Sequence, residues 1–316
     1  MNICTITDRN YVYKSLAQYY SLLSTSENFT WWVLAMDPEV FAVLKQLKLK
    51  NTQLVRLAAV ETRAIRQTRG DRTEAEYCWT VKPSWIRYLL ITFPKIKTLL
   101  YADSDVIFFA GADLAEKETN GAAAGITSHN FPRNLAGREK RTGKFNAGII
   151  WVRNDANAVK IIDRWSKQCI GWCYARLEDG KLCDQMYLDE WPARYDRVHV
   201  FKQPGINTAP WNIGGMQLQK VNGHLRVNDQ PLIMYHFHQF QIVSPDKFID
   251  STGYFIPPIV HQLIYEPYIE ALKKAMTHVK QIQPGFNYGL NKTSWGLRWR
   301  DKIKRVLLPI YWKLSG

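Results

Sequence analysis

The amino-acid sequence predicts an α/β fold with a mostly parallel central sheet, flanking helices and a helical extension at the C-terminal end. Residues 2–60 alternate apolar runs with amphipathic segments, in an order typical of parallel strands joined by right-handed helical crossovers. A further apolar run at residues 98–102 fits a strand that is buried on both faces of such a sheet. The composition allows a large core, because 46% of the 316 residues are hydrophobic and 22% are charged.

Local patterns in the first half of the chain define the elements of this sheet. Short apolar runs between helical patterns predict strands at residues 2–7, 30–36 and 54–60. Asp37 and Pro38 are typical of a helix N-cap and its first turn. Pro83 also predicts a helix start, so Lys82 would lie just before a helix N-terminus, where phosphate is favoured, unless it is a solvent-exposed lysine.

The second half of the chain continues with strands and helices. Apolar runs predict strands at residues 121–127, 145–152, 197–201 and 232–240. Residues 222–223 are an Asn-Gly pair typical of a hairpin turn. Alternation along the last predicted strand places His236 and His238 on one of its faces. Residues 259–282 have the pattern of an amphipathic helix.

Two aspartates follow the predicted strand at residues 98–102. Asp103 and Asp105 form the only Asp-x-Asp motif of the chain. Ligands bind at the carboxyl ends of strands in α/β sheets, and neighbouring carboxylates repel each other unless a cation lies between them. Mg²⁺ and Mn²⁺ prefer such oxygen ligands and keep positions open for phosphate. The motif therefore predicts a divalent metal site, with His236 or His238 as a candidate nitrogen ligand.

The net charge of +14 indicates an anionic partner. No RNA- or DNA-binding signature occurs, so nucleotide phosphates or an acidic membrane surface rank above nucleic acid. The basic segment at residues 133–144 could close over a diphosphate or could be solvated. Residues 295–314 combine a face of Trp and aliphatic side chains with basic residues. This pattern fits a helix lying on an anionic membrane and, equally, a helix packed on the domain.

The sequence lacks the signals of secretion and membrane insertion. The N-terminal residues do not have the basic and apolar segments of a signal peptide, and no run approaches the ~20 apolar residues of a membrane span. We therefore expect a cytoplasmic protein, either free or bound peripherally at the inner face of the cytoplasmic membrane. The five cysteines are loosely spaced, which favours reduced packing side chains over a zinc site.

Several short motifs occur in an order that resembles the bacterial GT-A-fold glycosyltransferases, nucleotide-diphospho-sugar transferases related to family 8. They span most of the chain and comprise Thr7, Asp8 and Tyr11, then Lys82 with Pro83, residues 100–105, residues 145–148, Asp184 with Gln185, residues 209–212 and residues 235–238. The resemblance implies a Rossmann-like GT-A domain at residues 1–255. Residues 256–316 would form a helical, basic extension suited to a membrane surface.

The resemblance also implies which residues bind the donor. Thr7, Asp8 and Tyr11 would contact the base and the ribose of a nucleotide sugar. Asp103 and Asp105 would hold Mn²⁺ or Mg²⁺, with Asp103 near the ribose. His236 or His238 would complete the metal site. Further donor contacts would come from Lys82, Ser104 and Gly148.

Catalytic roles are implied for three residues. Asn146 would lie where the donor sugar and the acceptor approach each other. Asp184 and Gln185 would occupy the position beneath the anomeric carbon, although Asp184 could instead cap the short helix predicted at residues 184–191. Asp184 would stabilise an oxocarbenium-like transition state in a retaining enzyme, or act as general base in an inverting one. Family analogy favours retention.

These expectations combine into one function with two alternatives. The chain would move a hexose from a nucleotide sugar, a UDP-sugar before others, to a saccharide or lipid-linked saccharide acceptor in bacterial surface polysaccharide synthesis. One alternative is a sugar-phosphate nucleotidyltransferase, although residues 7–11 lack the Gly-rich loop that such enzymes carry after their first strand. The other is a non-catalytic carbohydrate-binding protein, given the 12 Trp and 16 Tyr residues.

Overall fold

The computed structural model describes residues 1–291 and confirms the predicted α/β architecture. The strands are β1 (Asn2–Thr7), β2 (Thr30–Ala35), β3 (Thr52–Arg56), β4 (Thr98–Ala102), β5 (Val106–Phe108), β6 (Ala124–Ser128), β7 (Phe145–Arg153), β8 (Val198–Phe201), β9 (Leu218–Val221), β10 (His224–Val227), β11 (Gln230–Pro231), β12 (Met234–His236), β13 (Gln241–Ser244) and β14 (Lys247–Ile249). The helices are α1 (Val12–Thr25), α2 (Pro38–Gln46), α3 (Arg63–Gln67), α4 (Glu74–Thr92), α5 (Asp113–Glu118), α6 (Glu139–Thr142), α7 (Ala156–Gly171), α8 (Trp191–Arg194), α9 (Pro258–Val260) and α10 (Glu266–Ile282).

Within residues 1–291, a seven-stranded sheet in the order β3-β2-β1-β4-β7-β6-β8 forms the centre of the fold. Strands β1 to β4 run parallel to one another, as do β6 and β8, whereas β7 is antiparallel to both of its neighbours. Smaller antiparallel pairings join β5 to β12, β13 to β14, and β10 to both β9 and β11. The prediction of a mostly parallel sheet is therefore confirmed.

Successive apolar side chains of a central strand point to opposite faces of the sheet and pack into two separate cores. Leu100 and Ala102 of β4 pack with residues of α1 and α10, while Leu99 and Tyr101 pack with residues of α4 and α7. Helix α1 contacts α10, and α4 contacts α7. Strand β4 is thus buried on both faces, as its sequence predicts, and the acidic residues follow at its carboxyl end.

Helix α4 begins earlier than the sequence interpretation placed it. Thr73 accepts a hydrogen bond from the backbone N–H of Glu76, whose side chain accepts one from the backbone N–H of Thr73. This capping box satisfies the free donors of a helix N-terminus, so the helix starts there and Pro83 lies inside it. The prediction that Lys82 lies just before a helix N-terminus is therefore wrong.

The strand predicted at residues 232–240 is shorter in the structure. Strand β12 ends at His236, because the backbone N–H of His238 donates to the carbonyl of His236 at 2.9 Å and begins a turn. Gln239 then adopts a left-handed conformation with φ of 63°, which a strand does not allow.

The C-terminal part of the described chain matches the helix predicted at residues 259–282. A π-helical turn (His261–Tyr265) joins α9 to α10, whose apolar face shares the core beneath α1. The helix predicted at residues 295–314 lies outside the described residues, and the division of the chain after residue 255 stays a prediction. Among residues 1–291, no helix has both the length and the apolar character needed to cross a bilayer.

Gly205 offers a test of the packing next to β12. A Cβ atom at this position would lie 2.0 Å from the carbonyl oxygen of Pro231, a backbone atom that cannot rotate away. We expect Gly205→Ala to lower the free energy of unfolding by about 3 kcal/mol, as overpacking does in well-filled interiors. Urea unfolding followed by tryptophan fluorescence measures the change.

Gly137→Ala is the matched control for this substitution. No atom outside the adjacent residues lies within 4 Å of the added Cβ there, and the glycine has no left-handed φ. Its free energy of unfolding should stay unchanged or rise by less than about 1 kcal/mol. Equal destabilisation by the two substitutions would contradict the packing argument.

Candidate active site

The carboxyl end of β4 carries a tight turn that presents Asp103 and Asp105. The backbone N–H of Asp103 donates to the carbonyl of Gly148 at 2.8 Å, and its own carbonyl accepts from the N–H of Val106 at 2.9 Å. Ser104 points inward, where its hydroxyl donates to the carbonyl of Ile6. These bonds fix the turn between β4 and β5, so the carboxylates on either side of Ser104 lie at the edge of the sheet.

Asp103, Asp105 and His236 form a cluster that could hold a metal ion. Each offers one ligand atom, and these atoms lie within 4.8 Å of one another. The Nε2 atom of His236 is 3.2 Å from Oδ1 of Asp105, and the pairing of β12 with β5 fixes this approach. Two carboxylates and an imidazole are a donor set that suits Mn²⁺ or Mg²⁺. The buried Nδ1 atom of His236 has no hydrogen-bond partner among the described residues.

His238 lies beside this cluster rather than in it. Its ring centroid is 6.0 Å from that of His236, and it packs edge-on against Trp211 at 5.5 Å. Burial, with a further contribution from His236, lowers the pKa of His238 to about 4. The geometry therefore separates the two histidines that strand alternation alone could not distinguish.

Lys82 joins the metal cluster to the candidate catalytic residues. From the middle of α4 its Nζ atom lies 2.8 Å from Oδ2 of Asp184 and 3.2 Å from Oδ1 of Asp103, and it donates to the carbonyl of Ala147 at 3.2 Å. Burial opposes its charge, but the two carboxylates raise the pKa of Lys82 above its ordinary value. Burial raises the pKa of Asp184, and Lys82 opposes this rise. Asp184 does not cap the helical turn that follows it.

Asn146 and Gln185 are held together by a short hydrogen-bond network. The Nδ2 group of Asn146 donates to Oε1 of Gln185 at 2.9 Å, and Nε2 of Gln185 donates to the carbonyl of Thr142 at 2.8 Å. The backbone N–H of Gly148 donates to Oδ1 of Asn146 at 3.1 Å. A Cβ atom on Gly148 would lie 2.6 Å from Cε1 of His236, so glycine is what lets β7 approach the histidine.

The residues predicted to contact the nucleoside divide into two kinds. Thr7 is buried, and its hydroxyl is 2.7 Å from that of Ser15 on α1. Asp8 and Tyr11 are at least partly exposed and border the turn between β1 and α1. Burial raises the pKa of Asp8 to about 6, with smaller increases from Asp37 and Glu74, although the backbone N–H of Asn10 opposes the rise.

The structure adds residues that the sequence interpretation missed. The Tyr101 hydroxyl donates to Oδ1 of Asp103 at 2.6 Å, and Nζ of Lys14 lies 4.0 Å from Oδ2 of Asp105. Gln18 donates to the carbonyl of Asp103 at 2.8 Å. The available signal was the presence of Lys and Gln one helical turn apart in a helix that is otherwise rich in apolar residues.

Comparison with known families fits this arrangement. The model of glycosyl transferase family 8 matches residues 2–185, more than half of the chain. The chain belongs to glycosyl transferase family 8. This membership makes it a glycosyltransferase enzyme, and Lys82, Asn146 and the two aspartates of the candidate metal cluster lie within the matched residues, whereas His236 lies beyond them.

Relatives and solved structures extend the family 8 assignment. The uncharacterized protein YfnD of Bacillus subtilis (strain 168) is 29% identical over 289 residues, which cover 90% of this chain and 93% of YfnD. The uncharacterized protein YfnF of the same organism is 29% identical over 293 residues, which cover 90% of this chain and 95% of YfnF. The galactosyltransferase LgtC, solved with donor and acceptor sugar analogs, has a TM-score of 0.56 at 14% identity, covering 95% of this chain and 100% of LgtC. The bifunctional glycosyltransferase WbbM has a TM-score of 0.52 at 13% identity, covering 89% of this chain and 51% of WbbM. Both structures share the GT-A fold with this family 8 enzyme.

His129 lies in the wall of the site and makes stability depend on pH. Its backbone carbonyl accepts hydrogen bonds from Trp211 and Asn212, and its ring Nδ1 is 3.3 Å from the carbonyl of Lys144. Burial lowers the pKa of His129 from 6.5 to about 4, so between these values the unfolded chain binds a proton that the folded enzyme does not. Stability should therefore fall as the pH falls through this window, by up to about 3 kcal/mol from this histidine.

Denaturant titrations between pH 7 and pH 4 measure this contribution. We expect His129→Gln to unfold with a smaller loss of stability towards acid pH than the unsubstituted enzyme. His224→Gln, on the exposed side of the β9–β10 hairpin, is the control and should keep the original slope. An unchanged slope in His129→Gln would refute the assignment.

Proposed function

We propose that this family 8 enzyme transfers a hexose from a nucleotide sugar, most suitably a UDP-sugar, to a saccharide or lipid-linked saccharide acceptor in bacterial surface polysaccharide synthesis. The proposal is carried by one observation. The cluster of Asp103, Asp105 and His236 lies at the carboxyl end of β4, next to the buried pair of Lys82 and Asp184. A site for a diphosphate-bound cation and a carboxylate for sugar chemistry thus lie side by side.

Asp103, Asp105 and His236 would hold the cation in this proposal. Bound Mn²⁺ or Mg²⁺ would supply positive charge that stabilises the diphosphate as it leaves. Lys82 contributes a second fixed charge from a buried position, where electrostatic interactions are less screened than at the surface. Asp8 and Tyr11 border the same edge of the sheet and would receive the nucleoside.

Asp184 and Gln185 would act at the sugar. Lys82 lies 2.8 Å from the buried Asp184, and its charge opposes the effect of burial and favours the ionised carboxylate that a retaining mechanism would use beside a developing oxocarbenium ion. Gln185 is anchored through both ends of its amide, so its position is fixed before substrate binds. LgtC has also been solved as an active-site variant with glutamate in place of a glutamine, which supports testing Gln185.

Two further parts of the proposal concern the surroundings of the site. The basic segment at residues 133–144 contacts Gln185 through the backbone carbonyl of Thr142, and a basic segment beside the site supports an anionic substrate. We infer that residues 256–316 form an extension and that residues 295–314 attach the enzyme to the inner face of the membrane. Family 8 membership favours this function over nucleotidyl transfer or simple carbohydrate binding.

Asp105→Asn tests the metal site directly. The substitution removes a charged ligand while keeping the side-chain volume, so Mn²⁺ affinity should fall about 100-fold, and Mn²⁺-dependent UDP binding should fall with it. Isothermal titration with Mn²⁺ and then UDP measures both. Asp163→Asn, a surface aspartate paired with Arg87, is the control. Full Mn²⁺ affinity in Asp105→Asn would reject the proposed site.

His236→Ala and His238→Ala form a second matched test. Only the first histidine has a ring nitrogen within 3.2 Å of Asp105, so His236→Ala should weaken Mn²⁺ binding by about 10-fold or more. His238→Ala should leave Mn²⁺ affinity nearly unchanged, because that ring lies outside the cluster of ligand atoms. The reverse order of effects would identify His238 as the ligand instead.

A further inference from the structure

One face of helix α1 holds the segment that carries the two aspartates. Gln18 donates from Nε2 to the carbonyls of Asp103 and Val106, at 2.8 and 3.0 Å. Ser21 accepts from the backbone N–H of Phe108 at 3.0 Å. Lys14, one turn before Gln18, places Nζ 4.0 Å from Oδ2 of Asp105. Spacings of four and three residues put these polar side chains on the same helix face, towards the core.

Lys14 is held in place by three different groups. Its Nζ atom donates to the carbonyl of Phe240 at 3.0 Å, lies 4.4 Å from the ring centroid of Tyr11, and faces Asp105. The side chain is 9% exposed, and an ammonium group so far from water is costly unless an anion compensates it. Asp105 is the carboxylate that faces it, so the two charges form one buried unit.

This pairing divides the two oxygens of Asp105 between different partners. Oδ2 faces Lys14, whereas Oδ1 lies 3.2 Å from Nε2 of His236. Asp103 differs, because its Oδ1 meets both partners: it accepts from the Tyr101 hydroxyl and lies 3.2 Å from Nζ of Lys82. Oδ1 of Asp105 therefore lies beside the other candidate ligand, His236, whereas Oδ2 is turned towards Lys14.

The number of carboxylate oxygens that Asp103 and Asp105 can offer to a cation bears on which cation can bind. Ca²⁺ takes six to eight oxygen ligands and often uses both oxygens of a carboxylate, whereas Mg²⁺ keeps a compact octahedral shell with few protein ligands. Mn²⁺ also accepts imidazole nitrogen together with carboxylate oxygen. A site in which a buried lysine faces Oδ2 of Asp105, and Tyr101 and Lys82 hold Oδ1 of Asp103, disfavours Ca²⁺ because two-oxygen coordination by either carboxylate must compete with these groups.

We propose that Lys14 is a positioning residue that restricts Asp105 to one cation-facing oxygen and so makes the site select Mn²⁺ or Mg²⁺ over Ca²⁺. The inference rests on the metal site of the proposed function and deepens it, because it gives Lys14, which lies 4.0 Å from Asp105, a role in the choice of cation. Lys14 acts through Asp105 and not on the substrate.

Titration of the 316-residue chain with each cation alone tests the inference. The unsubstituted protein should bind Mn²⁺ more tightly than Ca²⁺. In Lys14→Met the freed oxygen becomes available, so the ratio of Mn²⁺ to Ca²⁺ affinity should fall about 10-fold, whereas Lys14→Arg, which keeps the charge, should retain most of it. Lys274→Met is the matched control, since its ammonium group lies over the Tyr20 ring and contacts no ligand residue.

The outcomes separate this inference from the function on which it rests. Absence of any divalent cation binding to the unsubstituted protein would overturn both. Tight Mn²⁺ binding with an unchanged affinity ratio in Lys14→Met would overturn the role of Lys14 alone. Circular dichroism checks folding, and Lys14→Gln replaces Lys14→Met if the latter does not fold. Equal Mn²⁺ and Ca²⁺ affinity in the unsubstituted protein would overturn the selectivity whatever the variants do.

Discussion

The structure around the sheet edge depends on the repulsion between Asp103 and Asp105. Ligand oxygens within 4.8 Å of each other repel by roughly 3 kcal/mol or more at the effective dielectric of a protein. The fold compensates each carboxylate with its own buried lysine. Lys82 comes from α4 on one face of the sheet, and Lys14 comes from α1 on the other. The two helix layers therefore do more than cover the sheet, because each places one lysine ammonium group at the sheet edge.

The site is completed by elements that are distant in the sequence. Strand β7 runs antiparallel to β4, so the start of β7 lies beside the end of β4 and brings Asn146 and Gly148 to Asp103. The pairing of β12 with β5 adds His236, and Gln185 reaches the same place through its bond to Asn146. Glycine at position 148 is the condition for this convergence, since a side chain there would meet the histidine ring.

Local signals predicted much of the fold, and long-range packing decided the rest. Strands β1 and β4 were predicted at their observed bounds, because short apolar runs end sharply at polar residues. The position of Lys82 relative to the start of its helix was predicted wrongly. The capping box upstream starts the helix at an earlier residue, and Pro83 then lies in the helix interior. Lys14 was missed because a lysine in an amphipathic helix is ordinarily solvent-facing, and only the tertiary structure shows the buried carboxylate beside it.

Under the proposed function, the charges gathered at the site favour an order in which the cation binds before the diphosphate. With its three carboxylates and two lysines all ionised, the cluster of Asp103, Asp105 and Asp184 with Lys14 and Lys82 would have one net negative charge, because a metal-binding His236 would be neutral. Such a cluster would repel a diphosphate. With a divalent cation on the aspartates the sign would reverse, and the same cluster would attract the diphosphate. Because Lys14 and Lys82 are buried and already face carboxylates, the reversal would need little rearrangement of these lysines, and under the proposed function nucleotide affinity would follow cation occupancy rather than a change of fold.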